Sequence, residues 1–117
     1  MFRVIIAGSR DFNNYQLLKE KCDFLLANIK EEIIIVSGTA RGADKLGEQY
    51  AKEKGYKIDS HPANWDLHGK SAGYIRNEEM AKCSDALIAF WDSVSKGTKH
   101  MIDLANKHNL KVCVIKF

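Results

Sequence analysis

The chain has 117 residues, of which 45% are hydrophobic and 28% are charged, a composition typical of one globular domain and not of a disordered segment. No apolar run approaches the roughly 20 residues that a membrane helix needs. The early run Val4–Ala7 is too short for a signal peptide, so we expect no membrane association and a cytoplasmic location. The net charge of +3 comes without any block of like charges, which permits an anionic ligand without requiring nucleic acid.

Apolar strand patterns alternate with helical patterns along the whole chain. The predicted strands are, in chain order, Phe2–Ala7, Ile33–Val36, Tyr56–Asp59, Asp85–Trp91 and Lys111–Ile115. Asn13 or Asn14 can cap the first helix, and Gly55 is a natural end for the second. The third strand is short and polar, so we expect it at an edge of the sheet. Pro62–Gly73 reads as a long connection, and connections of this length in compact domains are usually functional.

This alternation predicts an α/β fold. Continuous apolar strands indicate a parallel sheet with helices on both faces. We therefore expect a single Rossmann-like three-layer domain over residues 1–117, with a five-stranded parallel sheet in the probable order 3-2-1-4-5. Right-handed crossovers then bring all strand-to-helix loops to one edge of the sheet, where ligands of doubly wound folds bind.

Three of these loops combine glycines, hydroxyls and cationic residues. They follow the first, second and fourth strands, and helix N-termini with guanidinium forks suit a phosphate group. Trp65 and Trp91 are candidates for stacking on a base, although aromatic residues at strand ends are as often simply packed. The predicted phosphate-binding residues in these loops are Gly8, Ser9, Arg10, Ser37, Gly38, Thr39, Arg41, Ser95, Gly97 and Thr98.

Several familiar motifs are absent. Gly69-Lys70-Ser71 resembles the end of a P-loop, but Asn64 stands where the first glycine of that motif is needed. No G-x-G-x-x-G follows the first strand, so we expect no dinucleotide cofactor, and we predict no cofactor of another kind. The four histidines and three cysteines lack the spacing of a metal site or of a disulfide framework, so we predict no metal.

The segment Val36-Ser37-Gly38-Thr39-Ala40-Arg41-Gly42-Ala43-Asp44 closely resembles the S-G-x-A-R-G-x-D signature of DNA-processing protein A (Smf/DprA). Arg76-Asn77-Glu78-Glu79-Met80, with Gly97-Thr98 after the next strand, is similar in layout to motifs of the Lonely Guy phosphoribohydrolases. Together with Gly8-Ser9-Arg10, the pattern looks most like the small stand-alone YspA-type branch of the SLOG superfamily. The resemblance covers nearly the whole chain.

This resemblance implies a site for a nucleotide, a nucleoside phosphate or an ADP-ribose-like ligand. It adds Asp44, Arg76 and Asn77 to the site, with Gly97-Thr98 on the phosphate and Arg76 near the sugar; without the resemblance, the sequence favours a surface charge at Arg76. Met101 occupies the position of the Lonely Guy catalytic glutamate. If the protein is an enzyme, Arg76 and Asp92 are the catalytic candidates, with Asp44 or Glu79 as other carboxylates that spacing does not distinguish.

Three functions follow from these patterns. The first is binding of a nucleotide-derived small molecule, as a sensor or sequestering module. The alternative is a phosphoribohydrolase that cleaves the N-glycosidic bond of a nucleoside monophosphate. The third is binding of single-stranded DNA as in DNA-processing protein A. The modest net charge and the lack of a basic stripe argue against a nucleic-acid partner, while the resemblance is compatible with a homodimer.

Overall fold

The computed structural model describes all 117 residues as one five-stranded parallel sheet with helices on both faces. The strand order is β3-β2-β1-β4-β5, which confirms the predicted topology. In register, Val4 of β1 pairs with Ile35 of β2 on one side and with Ala86 of β4 on the other. The strands are β1 Phe2–Gly8, β2 Ile33–Ser37, β3 Lys57–Ser60, β4 Ala86–Trp91 and β5 Lys111–Lys116.

Five helices connect the strands. Asn14 caps α1, because its Oδ1 accepts a hydrogen bond from the Leu17 backbone N–H at 3.1 Å. Gly55 ends α2 in the left-handed conformation, with φ of 74°. None of the helices is long and apolar enough to cross a membrane. They are α1 Tyr15–Leu26, α2 Ala43–Lys54, α3 Trp65–His68, α4 Ala72–Cys83 and α5 Lys96–Lys107.

The core has two layers, one on each face of the sheet. Successive side chains of β1 alternate between them, so that Val4 and Ile6 face α1 and α2 while Ile5 and Ala7 face α4 and α5. Gly47 lets α2 lie close on the sheet, because a Cβ at this position would sit 2.8 Å from the Ile6 side chain. This packing confirms the predicted three-layer fold.

The connection between β3 and α4 differs from the expected loop. It contains α3, Trp65–His68, followed by a 3-10 turn over Gly69–Ser71 that leads directly into α4. Asn64 starts α3 by accepting a hydrogen bond from the Leu67 backbone N–H at 3.1 Å. Ser71 makes no side-chain cap for α4, because the preceding turn already gives it helical dihedrals. The segment therefore holds Trp65 on a short ordered helix at the edge of the sheet.

Candidate functional site

The loops after β1 and β2 meet at the carboxyl edge of the sheet. Gly42 permits this contact, because a Cβ there would lie 2.5 Å from the carbonyl oxygens of Ser9 and Arg10. Its φ of 80° also favours glycine. Gly8 is equally restricted, since a Cβ would overlap the Phe90 carbonyl oxygen of β4. These two glycines bring the loops after β1, β2 and β4 to one place.

Two serines of the predicted site, Ser9 and Ser37, are structural parts of the loops. Ser9 and Ser37 are 1% and 0% exposed. Ser9 Oγ accepts a hydrogen bond from the Asp92 backbone N–H at 3.1 Å, which joins the loop after β1 to the loop after β4. Ser37 Oγ donates to Glu48 Oε2 at 2.7 Å and accepts from the Thr39 N–H at 3.1 Å. Both hydroxyls therefore bond to other groups of the protein, and these bonds hold the loops around the site in shape.

Asp44 is the charged group buried behind the loop after β2. Its side chain lies at the start of α2, where Oδ2 accepts a hydrogen bond from the Ala40 N–H at 3.1 Å. Burial raises the pKa of the Asp44 carboxyl to about 6, although this hydrogen bond and the positive charges of Arg76 and Arg10 oppose the rise. The Asp44 carboxyl thus joins the start of α2 to the loop after β2 and lies near Arg76 and Arg10.

Arg76 joins α4 to the loop after β2. Its Nη1 donates to the Gly38 carbonyl oxygen, and its Nε donates to Asn77 Oδ1 at 3.0 Å. Burial lowers the pKa of the guanidinium, and the Asp44 carboxylate opposes that shift. Asn77, which is 6% exposed, has its Nδ2 3.3 Å from the Gly97 carbonyl oxygen at the start of α5. The sequence left Arg76 as either a ligand group or a surface charge, and the structure places it inside the site.

Two adjoining cavities open on this edge. We call them the inner cavity, of about 190 Å³, and the side cavity, of about 290 Å³. Arg10, Ala40 and Arg76 line both cavities and so form their common wall. The inner cavity reaches α5 and is also lined by Asp44, Lys70, Tyr74, Asn77, Ser95, Gly97 and Thr98. The side cavity reaches α3 and is also lined by Gly38, Thr39, Arg41, Pro62, Ala63 and Trp65.

The positive charge of the protein is concentrated here. The two linings contain four of the 18 lysine and arginine residues and one of the 15 aspartate and glutamate residues. Their net charge of +3 equals that of the whole chain, so the rest of the molecule is neutral overall. The cations, Arg10, Arg41, Lys70 and Arg76, come from separate segments. A basic surface therefore exists even though no basic run appears in the sequence.

The two stacking candidates lie in different places. Trp65 is 53% exposed and lines the side cavity. Trp91 lines a third cavity, the outer cavity, which adjoins the inner cavity through Tyr74 and Ser95. The Trp91 indole N–H donates to the Ser95 carbonyl oxygen at 3.0 Å, which fixes the ring. Trp65 is thus the tryptophan that accompanies Arg10, Arg41 and Arg76.

The catalytic candidates have different surroundings. Asp92 Oδ1 accepts hydrogen bonds from the backbone N–H groups of Val94 and Ser95, at 2.9 and 2.8 Å. These bonds hold the pKa of Asp92 below its ordinary value, and the carboxylate lines neither the inner nor the side cavity. Met101 is 1% exposed and lines the inner cavity. Asp44 is therefore the one carboxylate in the two linings.

One side-chain cluster was missed by the sequence analysis. The side-chain atoms of Asp59, His61 and Cys83 that could coordinate a metal lie within 4.8 Å of one another, between the end of β3 and the end of α4. Arg3 is among them: its guanidinium donates to the Asp59 carboxylate, and its Nε donates to the Cys83 carbonyl oxygen at 2.7 Å. Only tertiary structure brings these residues together. The cluster links β1, β3 and α4, with the arginine as its cation.

This fold, with a cluster of cationic side chains at the carboxyl edge of its sheet, is that of a Rossmann-like protein of the SLOG type. The family described as "YspA, cpYpsA-related SLOG family" matches residues 2–68, and the chain belongs to it. The chain is also 33% identical over 118 residues to the Gene 61 protein of Mycobacterium phage D29, and the match covers 96% of this chain and 94% of that protein. The resemblance seen in the motifs is thereby confirmed.

Solved structures of DNA processing protein A share the fold. The protein from Streptococcus pneumoniae gives a TM-score of 0.74 at 17% identity, over 99% of this chain and 50% of that one. The protein from Helicobacter pylori gives 0.68 at 21% identity, over 97% of this chain and 64% of that one. The chain thus spans about half to two thirds of these proteins.

The comparison corrects one expectation. The Helicobacter pylori structure is described as showing the single-stranded DNA binding mode of that protein. The expectation that argued against a nucleic-acid partner is therefore wrong. Its physical basis also fails, because it used the total charge and the absence of a basic run, whereas folding gathers four cations on one edge.

Proposed function

We propose that the protein binds single-stranded DNA at the carboxyl edge of its sheet, with the strand lying across the inner and side cavities. The observation that carries this proposal is the common wall of the two cavities, where Arg10 and Arg76 stand beside an exposed Trp65. Proteins that bind single strands combine a cationic groove for the backbone with aromatic rings for the bases. Both elements are present here.

Arg10 is the group best placed to hold a phosphate. It is exposed, lines both cavities and takes part in no salt bridge. Arg41 is less free, because its Nη2 lies 4.0 Å from Asp11 Oδ1. Arg76 is fixed by Gly38 and Asn77, so it offers a positive charge at a constant position. A strand would thus meet one unpaired and one fixed guanidinium at the centre of the site.

The inner cavity alone is small for a fully enclosed ligand. Sites for drug-sized ligands usually have about 300–1,000 Å³, whereas the inner cavity has about 190 Å³. That volume accommodates a phosphate and part of a sugar, with the remaining parts of the ligand outside. The neighbouring side cavity, with Trp65 on its wall, then receives the next base of a strand.

Binding of a nucleotide-derived small molecule is the second candidate. It is favoured by the buried polar side chains of Asn77 and Thr98, 6% and 5% exposed, which line the inner cavity beside the N-terminus of α5. Such an arrangement suits a single phosphate group. Hydrolysis of an N-glycosidic bond would also need a carboxylate, and in this site that role would fall to Asp44.

Fluorescence anisotropy with a labelled oligo(dT) tests the proposal. We expect binding that weakens with salt, and Arg10→Ala should reduce affinity about 10- to 100-fold, the scale of a charge-assisted hydrogen bond. Lys107→Ala is the matched control, because it removes the same charge from the far end of α5. Failure of oligo(dT) to bind, together with tight Arg10-dependent binding of AMP or ADP-ribose, would favour the second candidate.

A further inference from the structure

We infer that the outer cavity is a second subsite for single-stranded nucleic acid, so that a strand longer than the central site continues over Tyr74 towards α5. This inference rests on the proposed function. It starts from the observation that the inner and outer cavities share Tyr74 and Ser95 as their boundary. Tyr74 is 48% exposed, so the boundary is an open aromatic ridge on which a base can stack.

The lining of the outer cavity has the composition that a strand requires. Trp91, Tyr74 and His100 supply rings, and the cavity of about 500 Å³ is larger than the inner one. The Tyr74 and His100 rings meet edge to face, with centroids 4.5 Å apart, and Asn77 Nδ2 lies 3.2 Å from His100 Nδ1. These contacts hold the ridge in place from the side of α5.

The charges of the outer cavity also fit phosphate. Lys96 and Lys99 stand in the first turn of α5, where the helix N-terminus adds positive potential. Lys96 takes part in no salt bridge, whereas Lys99 Nζ lies 3.0 Å from Asp103 Oδ2. Asp103 is the one carboxylate in this lining. The subsite therefore has a free cation, a partly neutralised cation and one opposing anion.

The distance from the side cavity to the outer cavity determines how long a DNA strand must be to occupy both. The side cavity lies beyond β3 and β2, the inner one beyond β1, and the outer one beyond β4. Three steps of about 4.8 Å between neighbouring strands give a path of about 14 Å. At about 3.4 Å per stacked nucleotide, about four nucleotides cover this path. A trinucleotide fills part of the track, whereas an octanucleotide can occupy all of it.

The test compares trinucleotide and octanucleotide oligo(dT) by competition against a labelled octanucleotide. We expect the Lys96→Ala/Lys99→Ala double variant to lose about tenfold in octanucleotide affinity and to keep its trinucleotide affinity. The salt slope should fall by about 1.4, for two phosphate contacts on a single strand. Lys107→Ala, in the last turn of the same helix, should leave both affinities unchanged. Asp103→Asn should raise octanucleotide affinity about threefold.

A spectroscopic signal reports the subsite independently. The two tryptophan indole N–H resonances distinguish the side cavity from the outer one, because Trp65 lines the former and Trp91 the latter. We expect the Trp65 signal to move with either oligonucleotide and the Trp91 signal to move with the octanucleotide alone. Equal affinities for both lengths, with Arg10→Ala weakening both, would overturn the second subsite and leave the proposed function standing. Absence of binding by the wild type at either length would overturn both.

Discussion

Replacement of the buried Asp44 by asparagine should stabilise the protein at neutral pH. The pKa of Asp44 rises from its ordinary 3.8 to about 6 in the folded protein. The folded state therefore keeps this proton to higher pH than the unfolded state does. The free energy of unfolding therefore falls as the pH rises from 3.8 to about 6, and it stays lower at higher pH. At about 1.4 kcal/mol per pKa unit, the loss amounts to about 3 kcal/mol.

Asp44→Asn isolates this effect because asparagine is nearly isosteric. Its side-chain oxygen can still accept the hydrogen bond that Asp44 receives from the Ala40 N–H, and it carries no charge at any pH. We expect the variant and the wild type to have similar free energies of unfolding near pH 4. Near pH 8 the variant should be more stable by up to about 3 kcal/mol. Urea unfolding of both proteins across this range measures the difference.

Asp23→Asn provides a control of the opposite sign. Hydrogen bonds from Lys54 and Tyr50 lower the pKa of Asp23, so its contribution to stability is present above the unfolded-state pKa and is lost as the pH falls through the folded-state value. The Asp23 variant should therefore be less stable than the wild type near pH 8. An Asp44→Asn protein that is also less stable than the wild type near pH 8 would refute the reasoning, because attraction to Arg76 would then outweigh burial.

Three further predictions concern the stability of the helices α1, α2 and α4. Gly47→Ala should destabilise the protein by about 1–3 kcal/mol in thermal unfolding, because the new Cβ would lie 2.8 Å from Ile6. Gly73 lies in α4, and a Cβ there would make an ordinary contact with Trp65 at 3.6 Å. Gly73→Ala should therefore stabilise the protein by about 0.5–1 kcal/mol, and equal effects at both glycines would contradict these two predictions. Asn14→Ala should cost about 1 kcal/mol in the same assay through loss of the α1 cap; an unchanged melting temperature would show that the cap adds nothing.

The fold was predictable because local patterns agreed with the global arrangement. Continuous apolar strands indicated a parallel sheet, and the polar third strand took its expected edge position as β3. Gly55 also has the role that its position suggested, in ending α2. These features depend on residues near one another in sequence, which is the range that periodicity reports. The short helix α3 was missed because four residues are too few to show a period.

The candidate site was predictable by location but less so by the role of each residue. The glycine loops were expected at one edge and are there, yet Ser9 and Ser37 donate or accept hydrogen bonds inside the protein. Residue type does not tell on which side of a loop a hydroxyl lies. Lys70 was missed for a related reason, because only folding brings it to the inner cavity beside Arg10 and Arg76.

The central claim is that a strand lies against Arg10 and Arg76 at the carboxyl edge of the sheet. The NMR chemical shifts of the backbone amides and of the tryptophan indole N–H groups, followed while oligo(dT) is added to the isotopically labelled protein, test this claim most directly. We expect the largest shifts from Gly38–Arg41, Trp65 and Gly97–Thr98, which line the inner and side cavities. Arg10→Ala should abolish most of them at the same concentrations. Shifts confined to α1 or to the Arg3 cluster, or unchanged shifts in Arg10→Ala, would contradict it.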